Sequence, residues 1–199
     1  MERKENTIFS WYTDAMAEEE DQPFDKVIFL DIDGVLNCEE TAFETGNKID
    51  KERIELLKYI VDETNADIIL SSSWKIGYKN YIDAGYQSKN MDFGIFHDAM
   101  SEAGLSVKGI TPISQESGPD ARPLEIREWL NRFYEVSAYV ILDDDTFWSW
   151  GFLQRNVVTT ITEHPENPAS HRYVSGMTKE HAEKAIRILN DVGALKRWG

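Results

Sequence analysis

The fold of this 199-residue chain is decided by the stretch Val27-Ile28-Phe29-Leu30-Asp31-Ile32-Asp33-Gly34-Val35-Leu36-Asn37. Its first four residues form a continuous apolar run, which is typical of a parallel strand covered on both faces. The run ends at two aspartates, and open α/β sheets bind ligands at the carboxyl ends of their strands. Because side chains alternate along an extended chain, we expect Asp31 and Asp33 on one side and Ile32 in the core. Gly34 permits a sharp turn or the close approach of a ligand.

Two later apolar runs predict strands that also end in polar residues. The run from Asp67 to Leu70 is followed by Ser71-Ser72-Ser73, and the run from Ala138 to Leu142 is followed by Asp143-Asp144-Asp145. Predicted helices separate the strands, and strand–helix–strand order is the signature of parallel pairing. We therefore expect an α/β fold: a three-layer, Rossmann-like parallel sheet with helices on both faces and little or no cap.

The helices are predicted from capping residues and apolar spacing. Asp50 can cap a helix that runs to about Glu63, Pro123 is well placed as the first residue of another, and Thr178 can cap a final helix. A further helix is predicted near Asp92 to Ala103. Residues 156–161 resemble a fourth strand, while the intervals 109–119 and 164–176 are predicted to be loops.

The domain organisation follows from these elements. Residues 1–24 are expected to be a leader, either a short helix or flexible chain, and residues 25–199 a single domain. Within that domain, residues 76–121 are expected to form a modest insertion that rims the site. The length suits one domain with a proper core.

Composition excludes several classes of protein. The formal net charge of −15, from 36 acidic and 21 basic residues, argues against strong nonspecific binding to nucleic acid. A single cysteine, Cys38, excludes an internal disulfide framework and favours a reducing compartment. The chain has neither a signal-like start nor a run long enough to cross a membrane. A cytoplasmic protein is therefore expected, with a monomer favoured and no membrane partner.

The three polar strand ends would meet along one edge of the sheet. Carboxylates that are crowded together repel one another and would be driven to protonate unless a cation shared the site. Oxygen ligands without histidine or cysteine favour Mg²⁺, which usually takes one or two carboxylates together with a substrate phosphate. The sequence therefore predicts a magnesium site at this edge.

These motifs resemble those of the haloacid dehalogenase (HAD) superfamily of phosphatases, whose first motif reads Asp-x-Asp-Gly after a strand. The segments around Ser72-Ser73-Trp74-Lys75, Arg122 to Ile126, Leu142-Asp143-Asp144 and Ser175 to Thr178 further resemble the small HAD domains of RNA-repair proteins. The resemblance covers roughly residues 25 to 192. It implies a Mg²⁺-dependent phosphomonoester hydrolase that works through an aspartyl phosphate.

The resemblance also implies a role for each matching residue. Asp31 would be the nucleophile and Asp33 the general acid and base, with its backbone carbonyl binding the metal beside Asp31. Asp143, together with Asp144, would complete the Mg²⁺ site. The residues that would contact the phosphate are Gly34, Ser71 or Ser72, and Arg122, with Lys75 as the substitute for Arg122. The substrate would be a phosphorylated small molecule such as a nucleotide, or a nucleic-acid end.

Two alternatives stay open from the sequence. A receiver-type signalling domain also gathers carboxylates and Mg²⁺ at strand ends, although it carries its acidic pair and its acceptor aspartate on different strands. An inactive binding module would keep the fold without turnover. Trp74, Trp129, Trp148 and Trp150 suggest base stacking, but buried core tryptophans are the commoner case.

Overall fold

The computed structural model describes residues 24–38, 49–86, 91–114, 118, 120–133, 135–146, 149–162, 173–174 and 176–191. Five parallel strands in these ranges form one sheet in the order β3-β2-β1-β4-β5. Their bounds are Lys26–Leu30 (β1), Asp67–Leu70 (β2), Val107–Ile110 (β3), Ala138–Asp143 (β4) and Val157–Thr159 (β5). The strand that carries the first motif is the central one, so the predicted Rossmann-like parallel sheet is confirmed.

Helices follow most of these strands. Their bounds are Lys51–Thr64 (α1), Lys75–Asp83 (α2), Met91–Glu102 (α3), Ala121–Arg132 (α4) and Lys179–Asn190 (α5), and a 3₁₀ helix spans Gly151–Asn156. Two short strands, Ile161–Thr162 (β6) and Tyr173–Val174 (β7), form a separate antiparallel pair. None of the helices in the described part of the chain is both long and apolar enough to cross a membrane.

Strand alternation divides the core into two layers, one on each face of the sheet. In β1, Ile28 and Leu30 pack into the cluster that contains the buried side chains of α1, α2, α3 and α5. Val27 and Phe29 point to the opposite face, where α4 contributes Trp129 and the 3₁₀ helix contributes Leu153. Phe29 and Trp129 meet edge to face at 5.3 Å between ring centroids. Trp129 is therefore a core residue.

The predicted helix caps are confirmed at both positions where they were expected. The Asp50 carboxylate accepts from the Glu52 amide at 2.9 Å at the start of α1. The Thr178 hydroxyl accepts from the His181 amide, and the His181 ring accepts in return from the Thr178 amide, at the start of α5. Such reciprocal bonds satisfy two of the amides that a helix start leaves without intrahelical partners.

Several predicted boundaries were wrong. Helix α4 begins at Ala121, so Pro123 is its third residue; the first-turn amides have no intrahelical acceptor, and a proline there loses nothing. Strand β3 occupies the start of the predicted 109–119 loop. Lys108 and Gly109 break its apolar pattern, and it is a strand because it pairs with β2. The fourth predicted strand, 156–161, is shorter, and β7 lies in the predicted 164–176 loop.

The predicted leader lies outside the described residues except for Phe24. That ring is buried against Trp129 and Phe133, with centroid distances of 5.2 Å to each. The chain is therefore anchored to the α4 face of the sheet immediately before β1 begins. The polar segment from Cys38 to Lys48, in which Gly46 and Asn47 predict a loop or a small hairpin, lies outside the described residues apart from Cys38.

Candidate active site

The carboxyl ends of β2, β1 and β4 lie side by side, and each is followed by a predicted site residue. The Asp31 amide donates to the Leu142 carbonyl at 3.0 Å, and the Ser71 amide donates to the Leu30 carbonyl at 2.8 Å. These backbone bonds continue the sheet one residue beyond the strands. Asp31, Ser71 and Asp143 therefore stand at one edge because parallel strands end together.

Three carboxylates meet at this edge. Asp31, Asp143 and Asp144 each offer one oxygen, and these oxygens lie within 4.8 Å of one another. Asp31 and Asp143 are only 5% and 1% exposed. Among the described residues this group matches three of the four predicted metal ligands, and it could hold a metal ion.

Arg122 supplies the positive charge nearest to these carboxylates. It lies in the first turn of α4, and its Nη1 donates to Oδ2 of both Asp31 and Asp143. All three side chains are at most 12% exposed. The helix thus delivers a guanidinium to the centre of the predicted site.

Burial has the largest effect on the pKa values of Asp31 and Asp143. It raises the pKa of Asp31 above its usual value, against the lowering effects of Arg122, the Ser72 hydroxyl and the Ile32 amide. Burial and the nearby Asp31 charge raise the pKa of Asp143 to about 7, although Arg122 opposes them. For Arg122, burial alone would lower the pKa, but the two carboxylates outweigh it and the pKa is raised. One guanidinium therefore does not fully compensate the carboxylates.

The negative charge that Arg122 leaves uncompensated indicates whether a divalent cation would fit among these carboxylates. The donors are carboxylate oxygens, which are the ligands that Mg²⁺ prefers. A second positive charge beside Arg122 would remove the repulsion that raises the pKa of Asp143. The residues present therefore fit a hard divalent ion.

Asp33 stands apart from the three-carboxylate group. Strand β1 ends at Leu30, and the Val35 and Leu36 amides both donate to the Ile32 carbonyl in a tight turn. Strand alternation, on which the sequence prediction relied, therefore does not set the direction of Asp33. Two hydrogen bonds do so: Asn37 Nδ2 donates to its Oδ1 at 3.1 Å, and Trp74 Nε1 donates to its Oδ2 at 2.8 Å.

The serines after β2 differ in their environments. The Ser72 hydroxyl hydrogen-bonds the Asp31 carboxylate and accepts from the Trp74 amide at 3.3 Å. The Ser71 hydroxyl is buried and has no hydrogen-bond partner in the described part of the chain. A buried hydroxyl without a partner is uncommon in a native protein and calls for an explanation.

Lys75 is engaged away from the carboxylates. Its ammonium group donates to Glu125 Oε2 at 2.5 Å, to the Pro112 carbonyl at 2.8 Å and to the Thr111 hydroxyl at 3.2 Å. An ammonium group has three N–H donors, so these contacts occupy all of them. Of the two predicted basic residues, Arg122 is the one that contacts Asp31.

Gly34 makes room for Asp144. Its φ is +74°, and a Cβ there would lie 2.5 Å from three atoms of the Asp144 side chain. The Gly34 amide donates to Asn37 Oδ1 at 2.7 Å, and its carbonyl accepts from the buried Thr160 hydroxyl at 2.6 Å. Any side chain at this position would displace a carboxylate of the acidic group.

Sequence reasoning assigned no role to four residues that shape this site. Asn37 and Trp74 hold Asp33, Glu125 holds Lys75, and Thr160 holds the Gly34 turn. Asn37 could have been suspected from its place in the first motif. Thr160 gave no signal, because it is 126 residues from Gly34 and only the pairing of β5 with β4 brings it there.

The comparison with protein families gave a match over most of the described domain. A family model described as the HAD domain in Swiss Army Knife RNA repair proteins matches residues 27–164. That span runs from β1 past β6 and includes Asp31, Arg122 and Asp143. No curated protein and no solved structure matches the chain.

Proposed function

The chain belongs to the family of HAD domains found in Swiss Army Knife RNA repair proteins, and from this membership we propose that it is a Mg²⁺-dependent phosphomonoester hydrolase. The observation that carries the proposal is the contact of Arg122 with both Asp31 and Asp143 at the edge where the acidic group forms. A carboxylate beside a guanidinium is suited to meet a phosphoryl group. The family match favours a phosphomonoester hydrolase over a receiver-type signalling domain.

In the first step, an Asp31 oxygen attacks phosphorus and the bond from phosphorus to the leaving oxygen breaks. Asp33 donates a proton to that oxygen, so the product leaves as an alcohol. In the second step, water attacks the aspartyl phosphate, Asp33 takes the proton of that water, and Asp31 is released with inorganic phosphate. Covalent catalysis thus divides one difficult displacement into two easier ones.

The hydrogen bonds to Asp33 support its proposed role. The Trp74 and Asn37 side chains each donate to one carboxylate oxygen of Asp33 and so fix its orientation. A general acid must lie within hydrogen-bond reach of the atom that it protonates, and a fixed rotamer serves that need. The side chain is exposed, so it is accessible to both a leaving group and water.

Phosphate binding is assigned to donors around Asp31. Arg122 can present further guanidinium N–H groups to phosphoryl oxygens, as planar guanidinium–phosphate pairs do. The buried Ser71 hydroxyl is proposed as a second donor, which would explain why it has no partner among the residues that the structure describes. Ser72 is proposed to orient Asp31 through their hydrogen bond.

Asp31, Asp143, Asp144 and the Asp33 carbonyl are proposed to hold Mg²⁺. When bound, the ion would neutralise charge on the transferring phosphoryl group. The chain's own contribution is to hold the three carboxylate oxygens within 4.8 Å of one another and to leave room for Asp144 at Gly34.

A screen of phosphate esters tests the proposal. Phosphate release is expected with Mg²⁺ and is expected to stop in excess chelator. The panel should contain an aryl phosphate, nucleotides, sugar phosphates, phosphopeptides and RNA oligonucleotides phosphorylated at the 3′ or the 5′ end. The RNA ends are proposed as the best substrates because the matched family occurs in RNA repair proteins. Absence of Mg²⁺-dependent release from every ester would refute the hydrolase.

A pH-dependent effect of Mg²⁺ on stability is also expected. The pKa of Asp143 is raised from 3.8 to about 7, so metal-free protein loses stability as the pH rises between these values. Mg²⁺ binds the ionised carboxylates, and at 100 times its Kd would add about 2.7 kcal/mol. We expect Mg²⁺ to raise Tm by roughly 5–10 °C at pH 8 and by much less at pH 5.5.

Differential scanning fluorimetry with and without Mg²⁺ measures this shift. Asp143→Asn should lose the Mg²⁺-dependent increase at pH 8, whereas Asp98→Asn, which changes an exposed carboxylate on α3, should retain it. An equal increase in Tm at both pH values would contradict the assignment of the metal to this group.

A further inference from the structure

The proposed general acid, Asp33, is an exposed side chain whose direction depends on two donors from different parts of the chain. Asn37, four residues further on, donates to Oδ1, and the indole N–H of Trp74 donates to Oδ2 at 2.8 Å. Each carboxylate oxygen has two lone pairs, so one hydrogen bond on each leaves both able to hold a proton. Trp74 follows β2, and whatever fixes its ring therefore also fixes Asp33.

The Trp74 ring is supported by Phe93, in the first turn of α3. The two rings meet edge to face, with 5.6 Å between their centroids and an angle of 85° between their planes. This is one of the arrangements that aromatic pairs prefer. Both side chains are half-buried and pack against the core cluster that α1, α2, α3 and α5 share. The contact links α3 to Asp33 through one intervening side chain.

A glycine in the first turn of α2 makes room for the Phe93 ring. A Cβ at Gly77 would overlap Phe93 Cζ and would lie 2.7 and 2.9 Å from its two Cε atoms. The ring therefore lies directly on the backbone of α2. Glycine is less favourable than alanine in a helix, and the close approach of Phe93 gives a physical reason for a glycine at this position.

A second set of contacts fixes α3 against α2. The Tyr78 hydroxyl hydrogen-bonds His97 Nδ1 at 3.1 Å, and the Tyr78 ring meets the Phe96 ring edge to face at 5.1 Å between centroids. Phe96 and His97 lie one turn after Phe93 in α3. The two helices therefore present Phe93 to Trp74 as part of a packed unit.

We propose that Phe93 is a positioning residue for the general acid. Its ring, packed on Gly77, holds Trp74 so that the indole N–H keeps the Asp33 carboxyl directed at the leaving oxygen. This inference rests on the proposed hydrolase and deepens it. An exposed carboxyl would otherwise sample several rotamers, and a catalytic group needs a rotamer that is fixed by packing and hydrogen bonds around it.

The leaving group provides a readout that loss of packing alone would not change. A poor leaving group such as the alkoxide of glycerol phosphate needs a proton, whereas nitrophenolate leaves well without one. The value of kcat/KM covers only the steps up to departure of the leaving group, so it reports the acid role. Phe93→Leu is expected to lower kcat/KM about tenfold for glycerol phosphate and by less than about twofold for a nitrophenyl phosphate.

Two variants calibrate this ratio of kcat/KM values. Asp33→Asn removes the acid and should lower the ratio about a hundredfold, the largest effect expected. Phe96→Leu makes the same substitution in α3, at a fully buried ring that packs on Tyr78, and is the matched control. It should cost at least as much stability as Phe93→Leu and leave the ratio unchanged.

Gly77→Ala tests whether the effect passes through the Phe93 ring. The added Cβ should displace the ring, and the variant should fold because alanine favours a helix over glycine. The ratio should fall about fivefold in the single variant. In a Phe93→Leu background the same substitution should lower it by less than about twofold more, because the displaced ring is gone. Independent effects of the two substitutions would contradict this route.

The indole groups give a second readout that does not depend on turnover. The chain has six tryptophans, and in ¹⁵N-labelled protein the indole resonance that disappears in Trp74→Phe belongs to Trp74. Asp33→Asn should shift this resonance, because the acceptor changes from a carboxyl to an amide group. Phe93→Leu should also shift it, whereas Phe96→Leu should leave it in place.

The outcomes separate the two proposals. If the wild type is active and Phe93→Leu lowers kcat/KM equally for both esters, or changes their ratio by less than about twofold, Phe93 only packs and the inference is overturned. If the Trp74 resonance responds as expected but the wild type releases phosphate from no ester, the hydrolase is overturned, and the support of Asp33 by Phe93 through Trp74 stands.

Discussion

Asp31→Asn is expected to lower the rate of phosphate release by at least about a thousandfold, because an amide cannot form the aspartyl phosphate. The substitution is nearly isosteric and takes one negative charge out of a buried acidic group, so the protein should stay folded. Burial raises the pKa of Asp31, which indicates that ionisation of this carboxyl is unfavourable in the metal-free fold. Release of inorganic phosphate from an aryl phosphate, with circular dichroism as the check on folding, measures the effect.

Two further variants test whether the loss of activity comes from loss of the nucleophile. Asp33→Asn keeps the proposed nucleophile, so brief incubation with a ³²P-labelled substrate should still label the protein, whereas Asp31→Asn should not be labelled. Asp98→Asn changes an exposed carboxylate on α3 and should behave as the wild type. Full activity in a folded Asp31→Asn protein would rule out nucleophilic catalysis by this residue.

Lys75→Met is expected to destabilise the fold by about 3–5 kcal/mol, because it leaves a largely buried Glu125 carboxylate without its cation. The side chains of Lys75 and Glu125 are 8% and 12% exposed and meet at 2.5 Å. The pair joins the first turn of α2 to α4, three residues from Arg122. Urea denaturation of the wild type and the variant would measure the difference in the free energy of unfolding.

A double variant tests whether the loss comes from the unpaired charge. Lys75→Met combined with Glu125→Gln removes both charges but keeps an oxygen for the Ser114 amide, which donates to Glu125 Oε1 at 2.9 Å. Much of the stability should return. Lys58→Met breaks the exposed pair with Asp62 and should cost less than about 1 kcal/mol. If Lys75→Met left stability intact and only weakened phosphate binding, Lys75 would belong to the phosphate site.

The local elements were predictable because local interactions specify them. The apolar run before Asp31 predicted β1, and the side chains of Asp50 and Thr178 predicted the starts of α1 and α5. Parallel order then predicted that Asp31 and Asp143 would meet. Strand β3 was missed because its four residues carry no pattern of their own and depend on pairing with β2.

The roles of the charged residues needed long-range contacts. In the sequence, Arg122 was the first candidate for the basic residue of the phosphate site, and Lys75 was its substitute. The structure distinguishes them: Arg122 bridges Asp31 and Asp143, while all three donors of Lys75 have protein acceptors. The packing of α2 and α4 determines which carboxylate each long, flexible side chain reaches. No local sequence pattern specifies that packing.

The sequence by itself determined strands β1, β2 and β4 and the edge at which their polar ends collect, since hydrophobic run length, capping and strand–helix order act over short distances or through parallel pairing alone. Tertiary structure decided how each side chain at that edge is held. Asp33 is fixed by Trp74 from the neighbouring strand end, Asp144 fits against Gly34 because no Cβ is there, and the buried Ser71 hydroxyl has no partner within the described ranges. These outcomes depend on distances of a few ångströms between residues that are far apart in the chain, and only the packed fold sets such distances.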